Sequence, residues 1–151
     1  MLRDAFAERL KQAMRAKDAR TVSAVRLILA ALKDRDIAAR GAGHPEGIAD
    51  AEILRLLQGM VKQRRESIAM YEKGNRPELA RREEEEIAVI ESFLPRQMSE
   101  AQIAAAAKAA IADAGAQGPK DMGSVMALLR ERHAGTIDMA KAGAAVKRRL
   151  G

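Results

Sequence analysis

Cysteine is absent from the 151 residues, which excludes disulfides, thiolate nucleophiles and thiolate metal sites. Tryptophan is also absent, and aromatics make up 2%, namely Phe6, Tyr71 and Phe93. Histidine occurs only at His44 and His133, far apart and outside any HxxxH or HExxH spacing, so no metal site is expected. No run approaches the roughly 18 apolar residues that cross a bilayer, so no membrane partner is expected. The start, "MLRDAFAERLKQAMRAK", flanks every short apolar stretch with charge and carries Asp4 and Glu8, unlike a signal or targeting segment. A cytoplasmic location is the expectation. Nucleotide-loop, nucleophile-elbow and triad patterns are missing as well. Glu83–Glu86 is a carboxylate run, but a helix turns about 100° per residue, so its members fan out and cannot converge on one substrate atom. No catalytic residue and no cofactor are therefore expected.

What remains is 48% hydrophobic and 32% charged, the balance of a soluble globular chain. Leu, Ile, Val, Met and Ala must fill the interior, and that palette predicts an all-α fold. Leu2, Phe6, Leu10 and Met14 make one face of a first helix. Asp18 with Thr21 restarts the chain, and Val22, Val25, Leu29 and Leu32 make a second stripe ending near Ile37. "ARGAGHPEGIAD" predicts a long mobile loop. Asp50 is expected to cap a third helix running through Ile53, Leu57, Met60, Val61, Ile68 and Tyr71, with Gly74 as its left-handed stop. Asn75 and Pro77 restart a fourth helix through Leu79, Ile87, Ile90, Phe93 and Leu94. So short a turn predicts a long antiparallel hairpin.

Arg64 falls inside the apolar stripe of that hairpin. Reflected about a turn at 74/75, it lands on residue 85, so a structural ion pair with Glu85 or Glu86 is expected. Lys62 and Arg65 are placed on the outer side of the same helix, a solvated face.

Pro95 should end the fourth helix and divide the chain into residues 1–95, an N-terminal helical domain, and 96–151, a three-helix tail. Ser99 with Gln102 reads as a capping box. The Ala-rich helix that follows stops at Gly115. Two more helices follow, the last capped by Asp138. The tail's expected core is Ile103, Ile111, Met122, Val125, Met126, Leu129, Val146 and Leu150.

Net charge is +6 and uneven. Residues 1–40 carry ten Lys/Arg against five Asp/Glu, residues 41–95 eight against eleven, and residues 96–151 nine against five. A basic surplus at both ends permits contact with a polyanion. Lys141, Lys147, Arg148 and Arg149 crowd the last helix, with Arg130 and Arg132 before it. That exceeds what a helix dipole needs at its C-terminus and suits phosphate contacts. No aromatic lies in residues 96–151, so bases could not be stacked there, and backbone shape would be recognised instead. In "PKDMGSVMALL", Lys120 and the helix-start amides could hold a phosphate, or Asp121 could cap those amides while Gly123 permits close packing.

"KQRRESIAMYEKGNRPELARREEEEIAVIESFLPRQMSE", then "GPKDMGSVM" and "AVKRRL", resembles the GatB/YqeY family, in particular its stand-alone YqeY-like members, over residues 2–150. The resemblance implies a helical N-terminal part followed by a small three-helix tail. It also implies kinship with the tail domain of the B subunit of the glutamine-dependent amidotransferase acting on mischarged Glu-tRNA or Asp-tRNA. A non-catalytic tRNA-binding protein is thus implied, with an amidotransferase or synthetase subunit as a further partner. A helical protein-interaction adaptor is the alternative, and a carbon–nitrogen ligase activity with glutamine as amide donor is the family's other association. Lys120, Asp121, Met122 and Gly123 fall in the tail signature and Lys147 in its last helix. The family's glycine–arginine step before that helix is absent here, with Thr136 at its place.

Overall fold

The computed structural model describes all 151 residues and contains seven α-helices and no strand, the all-α class that composition predicts. The helices are α1 (Leu2–Arg15), α2 (Ala19–Gly41), α3 (Asp50–Lys73), α4 (Pro77–Glu91), α5 (Glu100–Ala114), α6 (Met122–Arg132) and α7 (Met139–Leu150). A short 3-10 turn, Pro119–Asp121, leads into α6. The chain forms two compact units, Met1–Leu94 and Pro95–Gly151, each with its own core.

In the first unit α1 lies against α2, while α3 and α4 pack along each other and against α2. Ile28, Ile53, Leu57 and Ile90 are fully buried at their junction. Each such side chain stabilises the fold by about 1.5–3 kcal/mol. Phe6 and Phe93 meet edge to face, with ring centroids 4.8 Å apart. The expected α1 face is only partly used: Phe6 is buried, but Met14 is 53% exposed. A four-residue step advances about 40° beyond a full turn, so Met14 has rotated about 120° from Leu2, and Ala13 takes its place in the core.

Two helices of this unit end on non-glycine residues in the left-handed region, Lys17 at φ +57 and Asn75 at φ +55. In both, the next amide reaches back five residues, Asp18 N to Ala13 O and Arg76 N to Tyr71 O, the Schellman closure. Gly74 is therefore not the left-handed stop the sequence suggests: its φ is −83, and Asn75 takes that role. Asp50 is not a cap either. Ala49 holds the cap position and Asp50 sits in the first turn, where its charge favours the helix dipole.

The glycine-rich stretch between α2 and α3 is not an untethered loop. Asp36, buried on α2, accepts hydrogen bonds from the Arg3 guanidinium of α1, the Nη2 bond being 2.8 Å, and from the Ile48 amide at 2.9 Å. Arg3 Nη2 also donates to the Ile48 carbonyl at 2.8 Å. Gly47 has φ +82, and a Cβ built there would lie 2.2 Å from Asp36 Oδ1. Only glycine leaves the carboxylate room.

The hydrogen bonds from Arg3, outweighing burial, hold the Asp36 carboxyl at about 2, below its ordinary 3.8. A depressed folded value means the stabilisation is complete above the unfolded value and is lost as pH falls toward 2. It amounts to on the order of 2 kcal/mol. Asp36→Asn should therefore destabilise the first unit at neutral pH, with the deficit shrinking below about pH 4. Urea unfolding followed by the fluorescence of Tyr71, the chain's single tyrosine, measures this. Gly47→Ala should lower stability by about 2–4 kcal/mol, through the clash and the broken clasp. Gly43→Ala, also at positive φ but with nothing within 4 Å, should lose only about 1 kcal/mol in the same assay.

Candidate functional site

The second unit is built on small side chains. Ala107 and Ala110 of α5 and Ala142 and Ala145 of α7 are buried together with Ile103, Val125, Leu129 and Val146. Methyl-sized contacts let the helices approach closely. Gly143 lies beside the Met122 and Met126 methyls, at 3.7 and 3.8 Å from an added Cβ. Ile111, Met122, Met126 and Leu150, expected in the core, are only partly buried around it. Ile137 was missed: it is 2% exposed and directly precedes the Asp138 cap. Its readable signal was the hydrophobic-staple position, an apolar residue just before an N-cap, paired with the fourth helical residue, here Ala142.

Local hydrogen bonds set the helix ends. Ser99 and Gln102 form the capping box of α5, and Gly115 at φ +64 closes it. The Asp138 carboxylate accepts from the Ala140 and Lys141 amides at 2.9 and 3.2 Å. The entry segment is pinned to the α6–α7 connection by Met98 N to Thr136 O at 2.9 Å and by Gln97 Nε2 to Gly135 O at 2.8 Å. The Thr136 hydroxyl donates to the His133 carbonyl at 3.0 Å.

All seven cations singled out in this unit are exposed. Arg132 differs from the rest: its guanidinium meets Asp113 of α5 at 2.8 Å, so it braces α6 against α5. Lys120, Arg130, Lys141, Lys147 and Arg149 have no acid within 4.0 Å, and Arg148 only reaches the Ala144 carbonyl at 3.4 Å. On α7, Lys141 and Arg148 are two turns apart and within about 20° of one another. Lys147 lies about 100° to one side and Arg149 about 100° to the other, so the four fan over the outer half of the helix and its end. Asp121 does not cap α6. Its carboxylate turns back to the Gln117 amide at 2.9 Å, which leaves the α6 start, next to Lys120, without a side-chain acceptor. Gly123 is likewise not a packing contact, since nothing lies within 4 Å of an added Cβ.

In the first unit, Arg64 lies between α3 and α4, 13% exposed, with Glu86 at 3.0 Å, Glu83 at 3.9 Å and the Met60 carbonyl at 3.3 Å. Glu85 is not its partner. The turn is centred on Asn75, so position 64 mirrors onto 86, and Glu85, about 100° round the helix, faces α2 and pairs with Arg20 at 2.8 Å. Arg65 reaches Glu91 at 3.2 Å across the same helix pair. Desolvation, then the nearby Glu86 charge, raise the Glu83 carboxyl above its ordinary value, with Arg64 opposing. No cluster of three His, Cys, Asp or Glu residues has metal-binding geometry. No helix is long and apolar enough to cross a membrane.

An all-helical chain whose second unit displays unpaired cations over a small-residue core is the class these observations define. The family model described as "Yqey-like protein" matches residues 3–150, and the chain belongs to that family. It is also similar to "Altered inheritance of mitochondria protein 41, mitochondrial" of Vanderwaltozyma polyspora, 34% identical over 85 residues, covering 56% of this chain and 44% of that protein. The protein of the same name from Lachancea thermotolerans is 34% identical over 85 residues, covering 56% and 43%. The match thus spans less than half the length of these relatives.

Removing Arg64 strands two poorly solvated carboxylates. Arg64→Met should destabilise the first unit by about 3 kcal/mol, whereas adding Glu83→Gln and Glu86→Gln should restore most of the loss. Glu83, already raised, rises further without Arg64. Its penalty is therefore complete above its folded value and is relieved as pH falls to its unfolded value. The Arg64→Met deficit should shrink on acidification, as read by Tyr71 fluorescence in urea at neutral pH and near pH 4.

Proposed function

We propose that this chain is a non-catalytic tRNA-binding protein that lays the cations of its second unit along the sugar–phosphate backbone. The observation that carries the reading is the allocation of charge. Asp113, Asp121 and Asp138 are committed to Arg132, the Gln117 amide and the α7 cap, while Lys120, Arg130, Lys141, Lys147 and Arg149 face solvent unpaired. Phosphates are the ligands such a surface favours, because each contact releases condensed counterions. Membership of the YqeY-like family supports the same reading, through its resemblance to the amidotransferase tail. An enzyme acting on that tRNA, an amidotransferase or a synthetase, is the partner it implies.

Labelled tRNA titrated with the chain tests this. Affinity should fall by on the order of 10²-fold between about 50 and 200 mM salt if four phosphates are contacted. Lys141→Ala with Lys147→Ala and Arg148→Ala should lower the salt slope by about 2–3, and Arg132→Ala, already paired, should change it little. Absence of binding at the lower salt, or binding that ignores these substitutions, overturns the proposal.

A further inference from the structure

We propose that the α1–α2 corner is a docking groove for an amphipathic helix of a partner protein, one carrying acidic residues beside its apolar stripe. The groove is shallow and open, about 690 Å³ in volume, and has Met14, Val22 and Leu27 among its lining residues, with Lys17 and Arg26 beside them. Met14 is 53% and Leu27 42% exposed, two of the five large apolar side chains that the fold leaves open to solvent. Neither cation has an acid within 4.0 Å. The nearest acid in sequence, Asp18, is committed to the Thr21 amide at 3.2 Å and hydroxyl at 2.6 Å, with Arg9 close enough to help lower its titration. An apolar floor with two cations that lack an ion-pair partner at its rim is thus complementary to leucines flanked by glutamates.

Lys17 adds an independent indication. It occupies a helix-ending position in left-handed backbone, φ +57, where glycine is the unstrained choice. The fold holds a lysine there, at the groove edge, at a conformational cost.

The probe is a dye-labelled helical peptide of about 16 residues, with leucines on one face and glutamates on both flanks, titrated with the full chain. Saturable binding is expected, weakened about tenfold or more by Leu27→Glu and by Lys17→Glu with Arg26→Glu. All three positions are open to solvent, so folding is preserved. Lys17→Gly should weaken binding while the thermal midpoint holds or rises, a split that a merely structural lysine does not produce. The proposal is overturned by any of three results: no saturation up to about 1 mM; equal binding of a lysine-flanked peptide; or indifference to the substitutions. It is equally overturned if anionic phosphatidylglycerol vesicles bind where the peptide does not, or if Leu27→Glu only abolishes self-association seen by sedimentation.

Discussion

Asp36 is the charge around which the first unit closes. It stands on α2 and reaches α1 through Arg3 and the approach to α3 through Ile48. An interior of isoleucine, leucine and valine supplies most of the free energy but little direction, since apolar contacts are roughly proportional to area and tolerate sliding. Arg64 with Glu86, and Arg20 with Glu85, perform the equivalent task for α3, α4 and α2. Partly shielded ion pairs fix which helix faces which, in a chain with few aromatic rings to do so by shape.

How much could be read beforehand depended on sequence separation. The Ser99–Gln102 box and the Asp138 cap close within a few residues, so their partners stand side by side in the sequence. The Asp36 clasp joins residues 33 and 12 positions apart, and no periodicity announces it; the stretch it anchors read as loose. Arg64 was legible as a charge inside an apolar stripe, yet its partner could be named only to within one residue, because the turn's centre was set by Asn75 adopting left-handed backbone. Asp121 shows the opposite failure. Its position suited a cap, but the 3-10 turn places the Gln117 amide within reach first. Of the cations, exposure could be anticipated from type alone, whereas the division between Arg132, tied to Asp113, and its unpaired neighbours required the packing of α5 on α6.

The basic surplus of the second unit is carried at its surface by cations without an ion-pair partner, Lys120, Arg130, Lys141, Lys147 and Arg149. Nine cations against five acids set that surplus, and the carboxylates of Asp121 and Asp138 bond to backbone amides rather than to side-chain cations. The aspartate cap of α7 satisfies backbone donors with a carboxylate that forms no ion pair with the lysines and arginines left outside.

The alanine seam between α5 and α7 has a consequence for how this unit can vary. Ala107, Ala110, Ala142 and Ala145 have almost no side chain to lose. Truncation to glycine loosens the helix by about 1 kcal/mol, while nearly every other replacement a single-base change can introduce adds bulk and forces the helices apart. The seam is thus constrained from both sides: a stretch that looks like low-complexity filler leaves little room for drift.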